Sequence, residues 1–265
     1  MQESQPHTSS YYAATVNQHT DYSSLKGNVT TDVCVIGAGF TGVSTALHLS
    51  ERGYKVHVVE ANKVGWGASG RNGGQMIGGI SGDSKMAKML GEEGERILWD
   101  MGWAGHEIIR ERVQKYDIDC DLKSGYLDVA IKPRHLRDLE AHHKMLEKYK
   151  FSHPYKMLSK EETRNAIGSE AYIGALRNDG NGHIHPLNLC IGEARAAVSL
   201  GATIYENSPV IEIKRGTKAT VVTESGSVTA DFVVLAGNAY HFLEQKLRGI
   251  LFPVNSFIIG SEPLS

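Results

Sequence analysis

The run Asp32-Val-Cys-Val-Ile36, followed at once by Gly37-Ala-Gly39-Phe-Thr-Gly42, constrains this chain more than any other feature. Such a continuous apolar run reads as a strand buried on both faces, the condition of a parallel strand. From Phe40 to Arg52 the apolar residues Val43, Ala46 and Leu47 recur at helical spacing, and Gly53 is a stop signal. Lys55-Val-His-Val-Val-Glu60 then reads as a second buried strand. Strand, helix and strand of these lengths form a βαβ unit, and a parallel sheet follows from it.

A G-x-G-x-x-G pattern alone is weak, but here it leaves a buried strand, opens a helix, and has the acidic Glu60 18 residues after Gly42 at the end of the next strand. Gly37 permits the tight turn, Gly39 lets backbone approach a pyrophosphate, and Gly42 allows close helix–strand contact. The helix N-terminus supplies unpaired N–H groups and partial positive charge for phosphate. Glu60 accepts from adenosine ribose hydroxyls, and with no Arg immediately after it a 2′-phosphate is disfavoured. The competing reading is a glycine-rich turn with no ligand. The next segment, Gly65-Trp-Gly-Ala-Ser-Gly-Arg-Asn-Gly-Gly-Gln75, is a backbone path rich in N–H donors that suits a pyrophosphate and a flat ring, and it favours FAD over NAD. The alternative is a mobile surface loop. Arg71 either counters a phosphate or substrate carboxylate or is merely solvated, and Trp66, Trp99 and Trp103 read as core.

Other features narrow the class. The 265 residues suffice for one large or two modest domains, and the 29 glycines exceed the usual share of about 7% and cluster between Gly37 and Gly82. A net charge of −2 gives no reason to expect a nucleic-acid partner. Cys34, Cys120 and Cys190 are far apart, which suggests neither disulfide framework nor metal site and fits a reducing cytoplasm. No apolar stretch is long enough for a membrane span or signal-peptide core.

Past the glycine-rich stretch, residues 84 to 116 read as helical, Gly125 to Ile131 as a strand, Arg134 to Lys150 and Pro186 to Leu200 as helices. Strands follow at Val210 to Lys214, Ala219 to Thr223 and Asp231 to Ala236, then Gly237 and a short helix. The expected fold is α/β: a discontinuous Rossmann-like FAD-binding domain interrupted by an α+β substrate domain. The boundaries are an N-terminal arm at 1–29, FAD-binding parts at 30–83 and 156–247, substrate-domain parts at 84–155 and 248–265. His183 and His185 face substrate, or His185, which precedes Pro186, sits at a helix cap; a metal is disfavoured without nearby carboxylates or thiols. No acid, base or nucleophile elbow stands out among the motifs, so the catalytic residues stay unassigned.

The sequence resembles the FAD-dependent amine oxidoreductases of the D-amino-acid oxidase, glycine oxidase and sarcosine oxidase superfamily, and within it the bacterial γ-glutamylputrescine oxidase family. The resemblance rests on Ser10-Tyr-Tyr-Ala-Ala-Thr15, Asp32 to Gly42, Gly67-Ala-Ser-Gly-Arg-Asn-Gly-Gly-Gln75, Gly182-His-Ile-His-Pro-Leu-Asn-Leu189 and Ala236-Gly-Asn-Ala-Tyr240. It implies that Phe40 and Thr41 meet the pyrophosphate, Glu60 and Ala61 the adenosine, and Ala68, Ser69, Gly73, Gly74 and Gln75 the phosphates and flavin. It also implies that Val210 touches the adenine through its backbone and that Ala236 and Gly237 close the pocket. The implied chemistry is oxidation of an amine, γ-glutamylputrescine, by hydride transfer to flavin, with molecular oxygen as acceptor and aldehyde, ammonia and hydrogen peroxide as products. A glycine- or sarcosine-type oxidase and a non-catalytic FAD-binding fragment are the alternatives. Complete relatives are longer, so the resemblance also implies truncation at the C-terminus, just after an expected strand at Pro253 to Ile259.

Overall fold

The computed structural model describes residues 5–80, 83–239, 243, 249–250, 252 and 254. In chain order the elements are α1 (Tyr11–Ala14), β1 (Gly27–Ile36), α2 (Phe40–Glu51), β2 (Val56–Val59), a 3₁₀ turn (Ala68–Gly70), β3 (Gln75–Met76), α3 (Asp83–Lys115), β4 (Lys123–Ala130) and α4 (Pro133–Lys148). There follow β5 (Tyr155–Leu158), α5 (Lys160–Ile167), β6 (Gly174–His183), α6 (Pro186–Ser199), β7 (Thr203–Tyr205), β8 (Val210–Lys214), β9 (Ala219–Thr223) and β10 (Gly226–Leu235).

Two compact units emerge, each made of separate chain segments. The first holds residues 1–73, 112–120 and 185–265, the second 74–111 and 121–184. In the first unit a six-stranded sheet has the order β7-β2-β1-β10-β9-β8, with β7, β2, β1 and β10 parallel and β10, β9 and β8 an antiparallel meander. The apolar run of β1 is continuous because both its faces are covered. Val33 and Val35 join Val56, Val58 and Ile204 beneath Val43, Ala46 and Leu47 of α2 and Leu187, Cys190 and Ala194 of α6. Cys34 and Ile36 point the other way, into a core with Leu25, Val221, Val228 and Ala230. Strand alternation thus sorts one sequence run into two cores.

The second unit is an antiparallel sheet centred on β6, which pairs with β4, with β5 and, at its end, with β3. α4 begins at Pro133, and α5 carries a capping box in which Ser159 and Glu162 satisfy each other's backbone amides. Helical geometry in α3 breaks at Gly91, whose φ is 74°, the kind of interruption its four glycines lead one to expect.

The expected organisation, an α/β nucleotide-binding domain interrupted by an α+β insertion, is what the fold has, with different boundaries. The division falls at 73/74 instead of 83/84, and residues 156–184 lie in the second unit because β5 and β6 share its sheet. Residues 112–120 return to the first unit, where Arg112 is buried against α2 and α6. The expected short helix after Gly237 and the expected strand at Pro253 to Ile259 fall largely outside the described residues. Among the described residues no helix is long and apolar enough to cross a membrane.

Arg112 and Glu193 form a buried ion pair at 2.7 Å, and the same guanidinium reaches Ser44 Oγ at 2.7 Å and His48 Nδ1 at 2.6 Å. Burial pushes the Glu193 carboxyl up, and Arg112 opposes the shift. Removing one partner strands the other charge, so Arg112→Met should cost about 3–5 kcal/mol in urea unfolding, and adding Glu193→Leu should recover most of it.

Candidate cofactor site

The turn between β1 and α2 is built by two glycines. Gly37 has φ 104°, and a Cβ there would lie 2.7 Å from the carbonyl oxygen of Ala236, so residues 236 and 237 form one wall of the turn. A Cβ on Gly42 would lie 1.8 Å from the carbonyl oxygen of Gly37, a backbone atom that cannot swing aside. This contact lets α2 start directly against the end of β1. Gly39 is the N-cap residue, with no side-chain cap of its own and no acidic residue in the first turn. The Phe40 amide instead donates to Ser69 Oγ at 2.9 Å. Phe40 and Thr41 therefore stand at the positive end of α2, within an anion-accepting N-terminus.

Glu60 follows β2. Its carboxylate accepts from the amides of Ala38 at 2.7 Å and Asn62 at 2.9 Å, which fixes it beside the glycine turn, with Ala61 in the bend that follows. Burial pushes the Glu60 carboxyl up, those amides oppose the shift, and the neighbouring Glu206 adds to it. The Ser208 amide donates to the Glu60 carbonyl at 2.9 Å, which brings in the segment that opens β8 at Val210.

The glycine-rich loop is held by specific bonds. The Gly65 amide donates to the Ala38 carbonyl at 2.9 Å, and Asn72 Nδ2 donates to the carbonyls of Ala68 at 3.1 Å and Ser69 at 3.0 Å. Arg71 donates through Nε to the Trp66 carbonyl at 2.9 Å, and its guanidinium lies 4.4 Å over the Trp66 ring. Arg71 Nη2 is buried with no hydrogen-bond partner. A helix start whose own cap residue is glycine, a fixed carboxylate after β2 and an orphaned guanidinium donor fit an anionic dinucleotide whose ribose offers hydroxyls.

The family model described as FAD dependent oxidoreductase (DAO) matches residues 32–265. The chain belongs to this family. It is 44% identical over 262 residues to the gamma-glutamylputrescine oxidoreductase of Escherichia coli, covering 98% of this chain and 61% of that protein. It is 40% identical to a probable oxidoreductase, OrdL, of Haemophilus influenzae, covering 98% of this chain and 62% of that protein. The chain thus spans about three fifths of the length of these curated relatives. Among solved structures, glycine oxidase from Geobacillus kaustophilus superposes with a TM-score of 0.63 at 26% identity, over 83% of this chain and 59% of that one.

In this family member the first unit contains Gly37, Gly39, Phe40, Thr41, Gly42, Glu60, Ala61, Ala68, Ser69, Arg71, Gly73, Val210, Ala236 and Gly237, whereas Gly74, Gln75 and His183 lie in the second. There Gln75 pairs with His183 across β3 and β6, and Gln75 Nε2 reaches the Tyr126 hydroxyl at 3.5 Å. His185 is a cap: it is buried, its Nδ1 accepts from the Asn188 amide at 3.1 Å, and its Nε2 meets Thr15 Oγ1 at 3.1 Å. Trp66 lies against Arg71 and donates to the Pro6 carbonyl at 2.9 Å, whereas Trp99 and Trp103 pack with Tyr149 and Phe151. The sequence reading did not single out Glu206, a fully buried carboxylate beside Glu60.

Two substitutions separate the steric contact at Gly42 from the cap that Ser69 supplies. Gly42→Ala should destabilise the protein by about 3 kcal/mol, because backbone on both sides cannot relax. Ser69→Ala, which removes only the acceptor at the Phe40 amide, should cost about 1 kcal/mol, as loss of an N-cap does. Urea unfolding of both apoproteins measures the difference.

Proposed function

We propose that this chain holds FAD through Phe40, Thr41, Glu60, Ala61, Ala68, Ser69, Arg71, Gly73, Gly74, Gln75, Val210, Ala236 and Gly237, and serves in the oxidation of γ-glutamylputrescine. The observation that carries the reading is the N-terminus of α2, whose cap residue Gly39 has no side chain and whose Phe40 amide is met by Ser69, beside a carboxylate fixed at the end of β2. The 44% identity to a gamma-glutamylputrescine oxidoreductase supports the choice of amine. In this reading the amides of Phe40 and Thr41 bind phosphate, and Ser69 rotates from the Phe40 amide to a phosphate oxygen. Arg71 supplies its orphaned N–H to an anionic oxygen, and Glu60 accepts from ribose hydroxyls. FAD when bound supplies the two-electron acceptor for the amine-bearing carbon. Hydrolysis of the resulting imine yields aldehyde and ammonia, and molecular oxygen taking the two electrons yields hydrogen peroxide. Three buried thiols, Cys34, Cys120 and Cys190, support a reducing, cytoplasmic compartment.

Titrating the purified apoprotein with FAD while following flavin absorbance should give one FAD per chain. Oxygen uptake with γ-glutamylputrescine should exceed that with glycine or sarcosine. Preference for glycine or sarcosine would assign an amino acid oxidase instead, and bound flavin that none of the three amines bleaches without oxygen would leave an FAD-binding part without turnover.

A further inference from the structure

Among the described residues of the first unit Glu206 is the most deeply buried carboxylate, and it lies where β7 ends, next to the end of β2: Val59 pairs with Tyr205, and the Glu60 amide donates to the Tyr205 carbonyl at 2.8 Å. Four donors converge on it from two segments far apart in sequence. The Lys63 ammonium reaches Oε2 at 2.9 Å and the Val64 amide reaches Oε1 at 2.9 Å. The Tyr22 amide reaches Oε2 at 3.1 Å, and the Thr20 hydroxyl donates to Oε1. Both oxygens are therefore saturated, and the buried charge has a cationic partner, which is the condition for a buried carboxylate to be tolerated.

The Val64 bond leads onward to the cofactor turn, and the Thr20 and Tyr22 bonds lead into the N-terminal arm. Val64 is followed by Gly65, whose amide is tied to the Ala38 carbonyl inside the glycine fingerprint, and then by the path to Ser69 and the Phe40 amide. The arm is anchored along its length by other bonds: Gln5 amide to Asn62 Oδ1 at 2.7 Å, Asn17 amide to Asn188 Oδ1 at 3.0 Å, and Leu25 amide to Ser208 Oγ at 2.9 Å. Asn62 and Ser208 are the residues that also touch Glu60 through their amides.

We infer that Glu206 is a positioning residue for cofactor binding: it clasps Thr20–Tyr22 of the N-terminal arm to Lys63–Val64, so that the docked arm holds the adenosine-side loop in its binding conformation. This rests on the FAD reading above and adds the arm and Glu206 as determinants of affinity. A loop held before the ligand arrives costs less ordering on binding. Loss of the clasp therefore acts on FAD dissociation more than on turnover by enzyme already loaded.

The test is FAD titration of the apoprotein by quenching of flavin fluorescence, beside thermal unfolding of the same apoprotein. Glu206→Gln places an amide N–H₂ against two of the four donors and should weaken FAD binding about tenfold, the cost of a charge-assisted hydrogen bond. Thr20→Val, which keeps the buried carboxylate and its cation, should weaken it about threefold, and Thr20→Ser should restore it. FAD dissociation constants within twofold of the parent in both variants, whatever the melting temperatures do, would overturn the inference. If Glu206→Gln yields no folded protein, the Thr20 pair decides alone. A parent protein that binds no FAD at all would sink the cofactor reading itself, a result distinct from unchanged affinity in the variants.

Discussion

The first unit depends on one close approach, that of Gly42 to the carbonyl oxygen of Gly37. Because hydrogen is the only substituent with room there, the first turn of α2 settles directly on the end of β1. Two consequences follow from that contact. The apolar face of α2, with Val43, Ala46 and Leu47, comes down on β1 and β2, which builds the larger core. The amides at the helix start are delivered to the carboxyl ends of the parallel strands, where dinucleotides bind in folds of this type. Core and binding site are thus two results of one steric condition.

Where burial on both faces produced an unbroken apolar run, the fold was legible. β1 and β2 announce themselves in that way, and α2 and α6 through helical spacing beside them, whereas the second half of β10 was legible from its apolar run although Phe232 and Leu235 are exposed. β6 did not. Its sequence Gly-Ala-Leu-Arg-Asn-Asp-Gly-Asn-Gly-His is poor in β-formers, and its extended state comes from three partner strands, one of them about fifty residues earlier in the chain. Missing that strand displaced the expected domain boundary, because residues 156–184 then had no visible reason to stay with the insertion. A similar tertiary cause returns residues 112–120 to the first unit: the buried pairing of Arg112 with Glu193 cannot be seen from either residue's neighbours in sequence.

The site divides along the same line. Gly37, Gly39, Gly42 and Glu60 were readable because their spacing encodes a local strand–turn–helix–strand geometry. Arg71 stood undecided in the sequence, and its stacking on Trp66 with one orphaned nitrogen comes from the fold of its loop. Glu206 left no signal at all, since its partners lie 142 to 186 residues away and a single glutamate after a short strand resembles any solvated one. His185 carried a motif-like signal that the structure explains by helix capping.

The pairing of β1 with β10 joins residues 199 positions apart along the whole length of both strands. On a ribosome adding about 5–20 residues per second, β1 waits on the order of ten to forty seconds before its neighbour exists. Through that interval a long apolar strand has one bare edge, the arrangement most prone to pair with another chain. Closing so long a loop adds little to its equilibrium cost but slows folding, since distant contacts must form before they reward the chain. The wall that Ala236 and Gly237 raise against Gly37 is therefore among the last features of the site to form. The turn between β1 and α2 gains that wall only after nearly all of the described residues have been made.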